Sequence, residues 1–334
     1  MQKILNILIS GGAGYVGSHL SIFLLKKTNF NIFSIDNFSN SSPALIVTLK
    51  KKYKKNFFFE KIDIRNTKKL SNFFFKNNID IVIHLAAKIE ASESFVKKKE
   101  YKIINLDSTK ELIKISIANK VKKFIFASSA AVYGNVASGY CSERRAVHPI
   151  NPYGKYKLQV ETYISQNKKK MSFAILRFFN IGGIEGIFYP FFYKRTSIFF
   201  LLVKFLLLDK KIFHINKSSI CTKDNSPERD FIHVSDISKI IYHAALIKKN
   251  FILLNCGRGV RTSVVNLIKT LEHLSNKKIK TKLMKAKIGD PTSVISNSNY
   301  LNKYIKKIKF KNLNQIMKDC FYMSLFLKKL KTFK

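Results

Sequence analysis

Acid is what this chain lacks most: 20 Asp and Glu stand against 61 Lys and Arg, a formal net charge of +41. A balance of that kind raises the question of nucleic acid or an anionic membrane as partner. The lysines, however, fall in scattered twos and threes (Lys50 to Lys52, Lys97 to Lys99, Lys168 to Lys170, Lys277 to Lys280), with no arginine-rich block and no basic platform interleaved with aromatics. Tryptophan is absent while Lys, Asn, Ile and Phe abound together, as A/T-rich codons would give, so the charge reads as solvated faces and base composition. No nucleic-acid partner is expected, although a positive field would gather an anionic substrate. Cysteine is sparse as well. Cys141, Cys221, Cys256 and Cys320 are far apart and form no Cys-x-x-Cys pair, which speaks against a zinc site and a disulfide framework and suits a reducing cytoplasm. Nothing has metal-ligand spacing, so no metal is expected. Long apolar runs are missing too. Ile187 to Leu208 is the most apolar stretch, but Lys194, Arg195 and Lys204 interrupt it and Pro190 breaks its start. It falls short of the about 20 unbroken apolar residues that a span requires, and is expected as a buried or interfacial helix with no membrane partner. Met1 to Ser10 leads into Gly11 rather than a cleavage site and reads as a first buried strand. There is no internal repeat and no low-complexity linker.

What is present is a globular chain, 46% hydrophobic over 334 residues, long enough for one large domain or two modest ones. Ile4 to Ile9 is a continuous apolar run, as expected of a strand buried on both faces. Gly11, Gly14 and Gly17 follow in Gly-x-x-Gly-x-x-Gly spacing, then a helical pattern over Ser18 to Lys27, then a strand Asn31 to Ile35 ending at Asp36. That order makes a glycine motif into a dinucleotide site: the glycines admit the backbone to a pyrophosphate, and the helix N-terminus offers free N–H groups and a positive dipole. A carboxylate at Asp36 would accept from the adenosine ribose and repel a 2′-phosphate, which favours NAD over NADP. The alternation continues through strands at Phe57 to Phe59, Ile81 to Leu85, Lys123 to Ala127 and Phe173 to Phe178, with helices at Thr67 to Lys76, Val96 to Asn119 and Tyr153 to Gln166. Such alternation predicts an α/β fold with a parallel, doubly wound sheet. Beyond Asn180 the pattern becomes loop and helix, which marks a smaller second lobe, and Phe231 to Ile247 is expected to pack back onto the sheet.

The chemistry rests on Tyr153-Gly154-Lys155-Tyr156-Lys157, with Ser129 upstream at the end of a strand. A phenol is a poor base at neutral pH, with a pKa of about 10. A lysine one turn along the same helix face would favour the phenolate. A serine hydroxyl could hydrogen-bond the same reacting oxygen. Together Tyr153, Lys157 and Ser129 suit the movement of a proton on or off a sugar or alcohol hydroxyl. Tyr-x-x-x-Lys alone is weak in a chain so rich in both residues, and only the glycine motif gives it weight.

These motifs resemble the extended short-chain dehydrogenase/reductases, and within them the UDP-glucose 4-epimerases, over nearly the whole chain. Gly11 to His19 resembles the family's glycine turn, with Gly11, Gly14, Tyr15, Val16 and Gly17 at the cofactor. Asp36, Asn37, Phe38, Ser39, Asn40 and Ser41 match its ribose loop, and Asp63 with Ile64 its adenine contact. His84-Leu85-Ala86-Ala87 through Glu93-Ser94 matches the turn after the fourth strand, with Leu85, Ala86, Ala87 and Lys88 against the cofactor. Asn105 matches a helix residue facing the nicotinamide half, and Phe179 is expected at the cofactor. Arg177 to Asn180, Arg229 to Val234 and Gly289-Asp290 match sugar-nucleotide segments. The resemblance implies a Rossmann NAD-binding domain over 1–180, with 231–258 packed against it, and a C-terminal α/β sugar-nucleotide domain over 181–230 and 259–334. It implies catalysis by Tyr153, Lys157 and Ser129 on a UDP-sugar. The diphosphate would be held by Asn180, Arg229 and Lys287, and the uridine ribose by Asp290. It further implies a 4-keto intermediate, tightly held NAD, and a homodimer paired through helices 96–119 and 153–167.

Departures from the family concern the substrate. Ile89 replaces a lysine, Lys287 an arginine that grips a diphosphate with two donors, and Asn216 an aromatic residue flanking uracil. Val294 is a small residue near a pocket where bulk excludes N-acetylated sugars. Related 4,6-dehydratases carry an acidic pair where this chain has Ala130 and Ala131, which favours plain epimerisation. Another nucleotide-sugar epimerase or dehydratase, or a non-catalytic NAD-binding protein, remains the alternative. His233, His243, Glu143, His148 and Pro149 read as structural.

Overall fold

The computed structural model describes residues 4–136, 139–185, 197–208, 211–218, 222–286, 288–305 and 308–329. Seven parallel strands form the main sheet: β1 (Asn6–Ser10), β2 (Asn31–Asp36), β3 (Phe57–Lys61), β4 (Ile81–His84), β5 (Lys123–Ser129), β6 (Ser172–Phe178) and β7 (Phe251–Cys256). Their order across the sheet is β7-β6-β5-β4-β1-β2-β3. In β1 the alternation of side chains splits one strand between two cores. Ile7 and Ile9 face a cluster with Leu20, Leu24, Ile240 and Ile241. Leu8 faces the other, with Phe33, Leu70, Leu112 and Val160. Helices cover both faces, the doubly wound arrangement expected from the alternation. Each such leucine or isoleucine contributes about 1.5–3 kcal/mol by leaving water. The chain reverses direction of winding between β1 and β4, and ligands of open α/β sheets bind in the crevice beyond that point.

Helix Val234–Leu246 packs on the glycine-turn helix α1 (Tyr15–Lys27). The remainder after Asn180 holds more strand than its sequence suggests. Glu228–His233 is the hub of a second sheet, antiparallel to Arg261–Ser263 and parallel to Ser293–Ser296 and Asn180–Gly182. Ser293–Ser296 pairs in turn with Tyr140–Cys141, and Ile212–Asn216 pairs with Lys280–Met284. These strands are short and their partners come from distant parts of the chain, so no local period announces them. Of the apolar stretch 187–208, residues 187–196 lie outside the described residues, and Ile198–Leu207 is a helix burying Phe199, Phe200, Leu202, Val203 and Phe205. No helix among the described residues is long and apolar enough to cross a membrane.

The expected helix over Val96 to Asn119 is instead broken. Lys98–Lys102 runs into a wide turn with i→i+5 bonding, Ile103–Asp107, before Ser108–Ala118 resumes α geometry. Wide turns of this kind mark places where a helix gives up regularity to aim a side chain. Here the side chain is Asn105.

Candidate active site

A cavity of about 930 Å³ opens over the ends of β1, β2, β4 and β5 and reaches the second sheet. Its floor is the glycine turn. Gly11 has φ +75°, and a Cβ there would lie 2.7 Å from the Ala86 backbone nitrogen. A Cβ at Gly17 would collide with the Gly11 carbonyl and the Gly12 Cα. The turn is therefore closed to side chains and open to a ligand. Gly14 caps α1 without a side-chain acceptor, and Gly14, Tyr15, Val16 and Gly17 all face the cavity. Free N–H groups at a helix start suit a pyrophosphate.

Asp36 ends β2 and accepts from the backbone N–H of Ala13 (3.1 Å) and Phe38 (2.8 Å) and from the Ser41 hydroxyl (3.0 Å). Burial raises its pKa and those bonds oppose the rise. The bonds fix the carboxylate at the rim, where Asn37, Ser39, Asn40, Ser41, Asp63 and Ile64 also line the wall. Asp63 is held ionised, chiefly by the Arg65 guanidinium at 2.7 Å. Phe38 does not face the cavity; it stacks on Phe59 with ring centres 5.2 Å apart and offers Asp36 only its N–H. These residues fit a dinucleotide whose ribose meets a carboxylate.

Leu85, Ala86, Ala87 and Lys88 form the next wall. Asn105 stands behind it. Its amide accepts from the Lys88 N–H (2.9 Å) and donates to the Lys88 carbonyl (2.8 Å), so it shapes the loop rather than facing the nicotinamide half. The Lys88 ammonium is taken up by Glu100 (3.0 Å) and Glu93 (3.4 Å), leaving the loop's backbone to meet a cofactor. Ile89 is exposed on the cavity wall.

Helix Pro152–Asn167 begins with proline in its first turn and with Asn151 as cap, which accepts from the Gly154 N–H at 2.8 Å. That start places Tyr153 and Lys157 on the cavity wall beside Ser129, which ends β5. The Lys157 ammonium donates to the Ala127 carbonyl at 2.7 Å and lies 4.7 Å from the Phe126 ring centre and 5.9 Å from that of Tyr153. Burial lowers its pKa to about 7. The Tyr153 phenol is raised, by burial first and by the charge of Glu90, while a hydrogen bond with Ser129 opposes the rise. Burial thus outweighs the help expected of Lys157, and the side chains by themselves do not lower the phenol. Two groups buried together lose more from desolvation than one turn of helix returns.

Asn180 and Arg229 of the second sheet, Asn216 of the two-stranded pair and Asp290 in a loop line the cavity's other side. Arg229 donates to Asp290 (2.7 Å) and to the carbonyls of Glu228 (2.8 Å) and Thr292 (3.1 Å), so it is rigidly held. Asn151 also donates to the Gly289 carbonyl (2.9 Å), tying the Tyr153 helix to this loop. Lys287 lies outside the described residues. Arg177 is not a sugar-nucleotide contact: it is buried in an ion pair with Glu161 (2.6 Å) and bonds the Tyr133 hydroxyl (2.8 Å). Val294 is buried with Val132, Tyr133 and Phe179 and does not line the cavity. Asp230 accepts from the N–H groups of Arg258, Gly259 and Ser296 and holds loops together. His233 bonds Ser235 and Asp319, a structural role as expected. Sequence reasoning missed Glu90, Ser92, Leu201, His214 and Ile288 on the cavity wall. Glu90 carried a signal: it sits inside the turn after β4 already matched to the cofactor.

Residues 7–257 match the family described as "NAD dependent epimerase/dehydratase family". The chain is 30% identical over 311 residues to UDP-glucose 4-epimerase 2 of Oryza sativa subsp. japonica, covering 87% of this chain and 74% of that protein. Its fold is similar to that of UDP-glucose 4-epimerase from Bifidobacterium longum, solved in complex with NAD+ and UDP, with TM-score 0.87, 27% identity and coverage of 96% and 98%. It is similar as well to UDP-glucuronic acid 4-epimerase from Bacillus cereus, with TM-score 0.84, 27% identity and coverage of 96% and 100%. The glycine turn, the strand-end carboxylate and the Ser-Tyr-Lys wall thus have a family to which they answer: this chain belongs to the NAD-dependent epimerases and dehydratases.

Proposed function

We propose that the protein interconverts UDP-galactose and UDP-glucose by inverting C4 of the hexose, with NAD as resident cofactor. The observation that carries this reading is the meeting of Ser129, Tyr153 and Lys157 on one cavity with the glycine turn on one side and Arg229 and Asp290 on the other. Bound NAD+ would supply the hydride acceptor and a positive charge beside the phenol. Tyr153 takes the proton of the 4-hydroxyl, and Ser129 directs that proton by hydrogen bonding to the same oxygen. Lys157, pinned by the Ala127 carbonyl, stabilises the phenolate once the site is charged. The 4-keto sugar then turns over about its link to UDP and exposes its other face, where the cofactor would supply hydride. Asn180 and Arg229 hold the diphosphate, Lys287 adds charge, and Asp290 binds the uridine ribose, so the nucleotide stays fixed while the sugar turns. Ala130 and Ala131, in the turn after Ser129, offer no acid or base for losing water, which sets the reading apart from a dehydratase. The family pairs subunits through the helical region 96–119 and helix 153–167, and a homodimer in the cytoplasm completes the reading.

The test is to mix the purified protein with UDP-galactose and no added NAD. UDP-glucose should form, at an equilibrium reached from either side. Unchanged UDP-galactose, or accumulation of a deoxy-keto sugar, would refute it.

A further inference from the structure

Five carboxylates line the cavity: Asp36, Asp63, Glu90, Glu93 and Asp290. Four are engaged. Asp36 takes backbone and hydroxyl donors, Asp63 pairs with Arg65, Glu93 with Lys97, and Asp290 with Arg229. The Glu90 carboxylate has no hydrogen-bond or ion-pair partner among the described residues. In a chain with three bases for every acid, an unpaired acid facing a cavity for an anionic ligand is a costly arrangement. Its backbone is anything but loose. The buried Tyr101 hydroxyl accepts from the Glu90 N–H (3.0 Å) and donates to the Glu90 carbonyl (2.8 Å).

Glu90 is also tied to the reacting end of the cavity. The Ser94 N–H donates to the Glu90 carbonyl (3.1 Å), and the Ser94 hydroxyl oxygen accepts from the Tyr153 N–H (3.2 Å). Two hydrogen bonds therefore link the acid's segment to the first turn of the Tyr153 helix.

We propose that Glu90 is a specificity residue that excludes sugars carrying a carboxylate on C5, and so restricts the enzyme to neutral UDP-hexoses. The inference rests on the epimerase reading and deepens it. Turning the hexose over while C4 stays at Tyr153 exchanges the two sides of the ring. A group beside C4 therefore meets the 3-hydroxyl in one pose and the C5 substituent in the other. Both poses occur in every turnover. Whichever side Glu90 occupies, a uronate must bring its carboxylate against it once per cycle, and like charges in a partly desolvated site repel. A neutral hexose instead presents hydroxyl donors to an acceptor with free lone pairs.

The test compares UDP-galactose with UDP-galacturonate on the NAD-loaded protein and on Glu90→Gln, an isosteric change. Wild type should favour the hexose in kcat/KM, and the variant should narrow that ratio by about tenfold or more, as loss of one like charge implies. Glu90→Lys should narrow it further. An unchanged ratio in both variants, or a wild type that turns over both sugars equally, overturns the proposal. Calorimetric binding of UDP-glucuronate and UDP-glucose to the same proteins keeps the two readings apart. If no hexose is epimerised, the proposed function fails, yet binding still decides Glu90: uronate affinity must rise in Glu90→Gln relative to the hexose, and equal affinities in wild type and variant refute it.

Discussion

Asp36 and Asp290 face the same cavity and are placed there by different means. Asp36 ends its own strand; its partners Phe38 and Ser41 lie within five residues of it, and Ala13 belongs to the glycine turn just before the helix that leads into that strand. Asp290 is held by Arg229, far away in sequence, on a strand whose position depends on pairing with Arg261–Ser263 and Ser293–Ser296. The dinucleotide end is thus built by local rules, a strand, a glycine turn and a helix start in succession. The sugar end is assembled from segments that meet only when the second sheet forms. The first can be read along the chain, and the second depends on long-range register.

Predictions follow from the point where the two ends meet outward. The largest effect is expected at Tyr153, whose helix is tied to both. Tyr153→Phe should lower kcat by about 10²–10⁴-fold, the usual share of a general acid–base group, while NAD stays bound. Retained activity, measured by following UDP-glucose formation, would break the link between them. Next comes Arg177→Met, which leaves Glu161 charged and buried at 5% exposure. It should cost about 3–5 kcal/mol in denaturant unfolding. The double variant with Glu161→Met should recover much of that loss. If Arg177→Met were instead as stable as wild type and weak in binding UDP, Arg177 would belong to the sugar end after all.

A smaller effect is expected of Asp290→Asn, which cuts the Arg229 ion pair. It should raise KM for the UDP-sugar about tenfold, or about 1.4 kcal/mol, and leave NAD occupancy as in wild type. Loss of NAD from that variant would show that the two ends are not independently built. Smallest at neutral pH is the contribution of His84, buried between the Ser10 hydroxyl (2.6 Å) and the Thr109 hydroxyl (2.9 Å). Burial lowers its pKa from 6.5 to about 3. Between those values the unfolded chain binds a proton that the folded chain does not, so stability falls as pH drops from 6.5 toward 3. Denaturant midpoints across that window should fall more steeply for wild type than for His84→Gln. Parallel curves would sink the assignment.

The main sheet was legible because buried parallel strands are continuous apolar runs and because glycine, helix start and strand-end acid come in fixed order. Thr67–Lys76 was delimited from sequence alone, and the strand at β6 was placed within a residue. Asn105 was found but its task was not. The wide turn over Ile103–Asp107 that points it at Lys88 leaves no mark in an apolar pattern that stays helical in period. Arg177 and Arg229 both stand in strands, and only the fold sends one into the core with Glu161 and the other to the cavity.

By itself the sequence determined the doubly wound sheet and the nucleotide turn, since each is announced by strand, glycine turn and helix start in succession, and it put forward Ser129, Tyr153 and Lys157, which the fold brings to one cavity wall. The tertiary structure decided the rest. It fixed the second sheet and the Arg229–Asp290 pair, because strand pairing across the chain carries no local period. It also set the protonation of the site. Burial raises the Tyr153 phenol and lowers the Lys157 ammonium, and desolvation is a property of the packed protein that no spacing of residues contains.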